Sequence, residues 1–164
     1  MPQLLTTPQQ LNLPPAALEL RRGEKGVEVM DVLRKKWIGV TAEEWVRQHF
    51  VHFLIDRMGY RPSFMANEMA IELNGTSRRC DTVVFSPGLR PMMIVEYKAP
   101  GVAVTQKVLD QAARYNVVLQ VPYLVLSNGL KHYCFRVERG EDGAGPHCVL
   151  TRLPDYEALT AGHE

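Results

Sequence analysis

The segment Met92-Met93-Ile94-Val95-Glu96-Tyr97-Lys98 constrains the fold more than any other stretch of the chain. Its first four residues are apolar on both alternating sides, and a strand with two apolar sides needs cover above and below. It therefore reads as a central strand of a sheet flanked by helices. The same strand ends in Glu96 and Lys98. Burying charge without a partner costs several kcal/mol, so these two residues mark the polar end of a buried strand. Spaced i and i+2, they project to one side.

The rest of the chain supplies the cover. Thr41 is a suitable N-cap, and Glu44 three residues later completes a capping-box pattern. Val46, Phe50, Phe53, Leu54 and Met58 then recur at helical spacing up to Gly59. Residues 64 to 73 read as a strand, Asn74-Gly75 as a hairpin turn, and Arg78–Phe85 as the return strand, broken by Ser86-Pro87-Gly88. Beyond Pro100-Gly101, Thr105 caps a second helix whose stripe is Val108, Ala112, Tyr115 and Leu119. Two further strands, Tyr123–Ser127 and Lys131–Val137, flank Asn128-Gly129, and Val149–Leu153 suits an edge strand.

Ahead of this core, Leu18–Arg22 and Val27–Leu33 flank Gly23-Glu24-Lys25-Gly26 and predict a β-hairpin, followed by the basic cluster Arg34-Lys35-Lys36-Trp37. Residues 1–17, with Pro2, Pro8, Pro14 and Pro15, read as an extended arm. Residues 18–153 form a single domain in this reading, and 154–164 a polar tail. The expected class is α/β, with a mixed central sheet between helices and an N-terminal hairpin.

Composition narrows the function. A net charge of +1 gives no global field for nucleic acid or anionic lipid, so any DNA contact must be local. Cys80, Cys134 and Cys148 are odd in number and lack CxxC spacing, which favours reduced thiols in a cytoplasmic protein over disulfides or zinc. No apolar run reaches the roughly 18 residues of a membrane span. His49 and His52 sit i,i+3 on the first helix, with no third metal ligand evident. No GxSxG or Cys–His pattern indicates covalent catalysis.

Asp81 lies on the strand before Glu96, and neighbouring strands run about 5 Å apart. If register permits, the two carboxylates meet and offer hard oxygen ligands to Mg²⁺ or Mn²⁺. The Lys98 ammonium would offset charge and hold or deprotonate a water, as phosphodiester hydrolysis requires. Glu-x-Lys with an upstream Asp is short enough to arise by chance in about half of chains this long. Its position at the end of a central strand is what gives it weight. Arg79 shares a strand side with Asp81 in a regular strand, and so faces either that carboxylate or DNA.

Arg79-Cys80-Asp81-Thr82-Val83-Val84-Phe85 followed by Ile94-Val95-Glu96-Tyr97-Lys98-Ala99-Pro100 resembles the PD-(D/E)xK nuclease core, and more closely the N-terminal nuclease domain of type I restriction enzyme R (HsdR) subunits. Asp110-Gln111-Ala112-Ala113-Arg114-Tyr115 is similar to the QxxxY element of RecB-type members. The resemblance spans about residues 30 to 137. It implies a restriction-endonuclease-like αβββαβ core and a Mg²⁺- or Mn²⁺-dependent deoxyribonuclease of endonuclease type. Asp81 and Glu96 would be metal ligands, Lys98 catalytic, and Gln111 a group that orients the site. Tyr115 and Arg79 would contact substrate, although helix packing explains Tyr115 equally well. The family also places a Glu of the first helix near the metal. Glu43 and Glu44 both qualify, and counting back from Gly59 selects Glu44. DNA and other restriction or repair subunits are the implied partners, with oligomerisation open. Cys80 stands where the family's name has Pro, and no GxxxxGK[ST] loop occurs, so no ATP-driven motor is expected on this chain. The rival reading, of another class, is a nucleic-acid-binding or assembly module that keeps the fold without useful turnover.

Overall fold

The computed structural model describes residues 3–5, 7, 9–140 and 145–163. A small antiparallel sheet opens the chain, made of β1 (Leu20–Gly23), β2 (Gly26–Asp31) and β3 (Lys36–Gly39). The expected hairpin is present as β1 and β2, and a third strand joins it. The basic cluster had hidden β3: Lys35 takes a left-handed φ of 56° and turns the chain so that Lys36–Gly39 pairs back on β2.

Helix α1 (Ala42–Met58) starts at Thr41, whose side chain accepts from the Glu44 amide at 3.0 Å, and stops at Gly59 in the left-handed region with φ 73°. The Tyr60 amide donates to the Leu54 carbonyl at 3.0 Å and closes the helix end. The main sheet has the order β4 (Met65–Leu73), β5 (Thr76–Phe85), β6 (Pro91–Tyr97), β7 (Tyr123–Ser127), β8 (His132–Arg139), β9 (Pro146–Thr151). All neighbours are antiparallel except β6 and β7, which α2 (Gln106–Leu119) joins as a crossover. The fold is α/β with a mixed sheet between helices, as the sequence predicts. Asn74 and Gly75 make the β4–β5 turn with φ of 53° and 75°, the mirror-type turn that suits a two-residue hairpin.

The central strand separates two cores. Met93, Val95 and Tyr97 pack with Val46, Phe50 and Leu54 of α1. Ile94 packs on the other side with Val108, Ala112 and Tyr115 of α2. The stretch read as a polar tail contains a helix: α3 (Tyr156–Thr160), capped by Asp155, buries Tyr156 and Leu159 in the α1-side core. Within the extended arm, Leu4 bridges Thr41, the Gln9 carbonyl accepts from the Trp45 indole at 2.8 Å, and the Asn12 amide donates to the Gly129 carbonyl at 2.7 Å. Residues 1, 2, 6, 8 and 164 of the expected arm and tail lie outside the described residues. Cys80 and Cys134 are buried, and no disulfide occurs among the described residues.

One irregularity in the β4–β5 ribbon positions the site. Met65 and Asn67 pair with Val84 and Thr82 and face α1, where Thr82 meets the Tyr97 hydroxyl. Two residues further along, Met69 and its partner Cys80 face α2 together with Ile71. In a regular strand i and i+2 share a side. Here the alternation slips at Glu68 and Asp81, and Glu68 has a φ of 57°. The ribbon turns over at the position where Asp81 stands.

Candidate active site

Pairing of β5 with β6 runs through Thr82 and Val95 and goes no further toward Asp81 and Glu96. Side chains take over the backbone amides there. The Tyr97 amide donates to Asp81 Oδ2 at 2.9 Å, and the Asp81 amide makes a long contact of 3.5 Å to Glu96 Oε1. Both carboxylates therefore occupy the gap where the two strands part, and the meeting across the strand pair that the sequence made conditional on register occurs. Glu96 is 8% exposed, and the Asp81 side chain 14%.

Burial and mutual repulsion shape their titration. Glu96 is shifted upward, first by desolvation and then by the Asp81 charge and its hydrogen bond to that neighbour, while Lys98 opposes the shift. Asp81 is also shifted upward, chiefly by burial, against the pull of the Tyr97 amide and Arg47. Burial and mutual repulsion thus make each of the two facing acids hold a proton more readily than an exposed carboxyl does.

Lys98 follows the end of β6, with its amide bonded to the Ser127 carbonyl at 2.9 Å. Its charge acts on Glu96 and on Glu43. Glu43 feels Asp81, Lys98, Arg47 and Glu68, and burial with the Asp81 charge raises its pKa. Glu44 points elsewhere. It accepts from Arg34 Nη2 at 2.7 Å and Gln48 Nε2 at 3.1 Å, with Arg47 Nε 3.4 Å away. Of the two acids that open α1, the structure thus brings Glu43 into range of Asp81 and Lys98 and commits Glu44 to Arg34 and Gln48.

Gln111 lies on the exposed side of α2, and its Nε2 donates to the Tyr115 hydroxyl at 3.1 Å. Tyr115 itself is buried among Val108, Ala112 and Leu124. Neither makes a hydrogen bond to Asp81, Glu96 or Lys98 among the described residues. Arg79 is exposed opposite Ala70. The ribbon's turnover takes it away from the Asp81 carboxylate that a regular strand would have let it face.

Arg47 approaches that carboxylate instead. This α1 residue, 3% exposed, donates to Glu68 Oε1 at 2.6 Å, lies 3.7 Å from Asp81 Oδ1 and 3.5 Å from the Asp81 carbonyl, and stands 5.8 Å over the Tyr97 ring. Sequence reasoning missed it, because an arginine on a helix reads as solvated. A further buried carboxylate, Asp31 at the end of β2, accepts from the amides of Leu33 and Arg34 and from the side chains of Arg34, Gln48 and Asn67. The i,i+3 pair His49 and His52 goes separate ways, to the Trp45 carbonyl and to Asp56. Among the described residues no three His, Cys, Asp or Glu side chains are grouped so as to hold a metal ion. The chemistry of Asp81 and Glu96 fits a hard divalent cation that keeps most of its own water, since such an ion needs only one or two carboxylates from the protein. No helix among the described residues is long and apolar enough to cross a membrane.

Among curated proteins no match to this chain is found. The family model for the type I restriction enzyme R protein N terminus (HSDR_N) does match, over residues 42–154. That span holds α1 and every strand of the six-stranded sheet, well over half of the chain, and this protein belongs to the type I restriction enzyme R N-terminal family.

Proposed function

We propose that the chain is a Mg²⁺- or Mn²⁺-dependent deoxyribonuclease that hydrolyses internal phosphodiester bonds of DNA. The observation that carries this reading is the meeting of Asp81 and Glu96 in the gap between β5 and β6, with the Lys98 charge near enough to act on Glu96. Asp81 and Glu96 would hold the cation, and Glu43 is the α1 acid we assign to its surroundings in place of Glu44. A divalent ion bound there polarises a phosphoryl oxygen and acidifies a water.

The chain's own groups do the remainder. Lys98 orients the attacking water and either accepts its proton as the neutral amine or, as the ammonium, offsets the charge that develops. Burial of the acid pair keeps bulk water from competing for the phosphate. Arg47 balances the negative charge of Asp81 and Glu68. Gln111 on α2, its amide held by the buried Tyr115 hydroxyl, and Arg79 on the exposed ribbon are assigned to DNA contact. Family membership supports a restriction setting, with other restriction subunits as partners and the cytoplasm as location.

The test is cleavage of supercoiled plasmid and of single-stranded DNA with Mg²⁺ or Mn²⁺, comparing the parent with Asp81→Asn and Lys98→Ala. Each variant should lose at least ~100-fold in rate, the scale of a general acid–base contribution. Equal cleavage by all three removes the proposed roles. DNA binding without cleavage by any of them replaces the nuclease with a binding or assembly module.

A further inference from the structure

Residues 20–39 lie outside the part of the chain that the family model matches, yet hydrogen bonds connect them to the residues around the candidate site. Asp31 closes β2 and is fully buried. Two routes of hydrogen bonds and ion pairs lead from it to the acid pair.

The first passes through charges. Arg34 Nε donates to Asp31 Oδ2 at 2.6 Å, and Arg34 Nη2 donates to Glu44 Oε1 at 2.7 Å. Glu44 Oε2 lies 3.4 Å from Arg47 Nε, which is buried without a hydrogen-bond partner of good geometry, so the contact is electrostatic. Arg47 then reaches Glu68 at the turnover of β4 and both the carbonyl and carboxylate of Asp81. The second passes through neutral groups. Asn67 Nδ2 donates to Asp31 Oδ2 at 3.0 Å, Thr82 Oγ1 donates to Asn67 Oδ1 at 2.7 Å, and Thr82 Oγ1 lies 2.8 Å from the Tyr97 hydroxyl. Thr82 adjoins Asp81, and Tyr97 stands between Glu96 and Lys98. One buried carboxylate thus anchors the neighbours of all three proposed reacting groups, on both strands.

We infer that Asp31 of β2 and Arg34 of the β2–β3 turn are positioning residues for the Asp81–Glu96 site, so that the N-terminal sheet and its turn complete the catalytic centre. The inference rests on the nuclease reading for its catalytic consequence. Its geometric content does not, because the Tyr97 amide donates to Asp81 Oδ2 and reports where that carboxylate sits. Groups that hydrogen-bond metal ligands directly change metal affinity or activity by about 10–100-fold when removed, and Asp31 and Arg34, which act through such groups, belong at or below the lower end of that range. A purely structural role would lower stability and leave those quantities alone.

The experiment compares the full chain with Asp31→Asn, Arg34→Gln and, as a control, Arg21→Gln. Arg21 makes an exposed ion pair with Glu28 in the same small sheet, away from both routes. Three quantities are read: the shift and hydrogen exchange of the Tyr97 amide by NMR, Mn²⁺ binding by calorimetry, and plasmid cleavage. Asp31→Asn and Arg34→Gln should shift the Tyr97 amide, speed its exchange and weaken Mn²⁺ binding and cleavage several-fold, up to about 10-fold; Arg21→Gln should match the parent in all three. If Asp31→Asn does not fold, Arg34→Gln decides, since its side chain is 17% exposed. A Tyr97 amide identical to the parent's in a folded variant overturns the inference. A parent that binds no Mn²⁺ and cuts no DNA sinks the nuclease reading, while the Tyr97 amide still decides the positioning claim.

Discussion

Asp31 and Glu96 are both buried carboxylates, and their surroundings drive them in opposite directions. Burial by itself raises Asp31, but the Arg34 amide, the Asn67 side chain and the Arg34 guanidinium outweigh it and hold the group below its ordinary 3.8. A depressed acid adds stability above the unfolded pKa and loses it as pH falls through the folded value. Asp31→Asn should therefore lower stability by about 3 kcal/mol at pH 7, with the gap to the parent shrinking in urea titrations below about pH 4. Glu96 is raised by burial and by Asp81, so its contribution is present at low pH and declines as pH climbs above the unfolded value. Without divalent cation, Glu96→Gln should be more stable than the parent, by a margin that widens as pH rises from about 5 to 8. A margin independent of pH would show that Glu96 does not carry the strain assigned to it.

At the level of elements, much of the site's frame is legible because its signals are local. Thr41 and Gly59 bound α1, Asn74-Gly75 sets the hairpin, and the Tyr123–Ser127 strand appears with the expected limits. Gly59→Ala tests one such signal: nothing lies within 4 Å of an added Cβ, so only the left-handed φ opposes it. The cost should be about 1 kcal/mol, seen as a lower denaturation midpoint. What stayed hidden depends on distant partners. Residues 64 to 73 read as one alternating strand, whereas β4 and β5 leave Glu68 and Asp81 out of their pairing, and the Arg47 guanidinium holds the Glu68 carboxylate at the slip. The same slip removes Arg79 from the Asp81 side. The count back from Gly59 favours Glu44, but Arg34 of the β2–β3 turn engages that carboxylate, a partner ten residues away that no local signal announces. Helix α3, only five residues long, carries too little periodicity to be seen; Asp155 is its one local sign.

Across the whole molecule, the two segments flanking the family-matched region are bound into the core. Leu159 of α3 is 2% exposed, the Tyr156 hydroxyl donates to the Phe85 carbonyl at 2.8 Å, and the Tyr60 hydroxyl to the Pro154 carbonyl at 2.8 Å. Leu159→Ala should cost about 2–5 kcal/mol in chemical denaturation, whereas Leu150→Ala on β9, where the side chain is 64% exposed, should stay within about 0.5 kcal/mol. Equal losses would show that α3 does not share the main core. The gap between β5 and β6 has a last consequence, for history rather than for chemistry. Asp81 Oδ2 occupies the Tyr97 amide in place of a strand partner, so the carboxyl is also a rung of the architecture. A lineage that abandoned catalysis could discard Lys98 freely, but Asp81 would have to yield to Asn or another acceptor. Retired copies of such a domain should therefore keep an oxygen at position 81 long after the ammonium is gone.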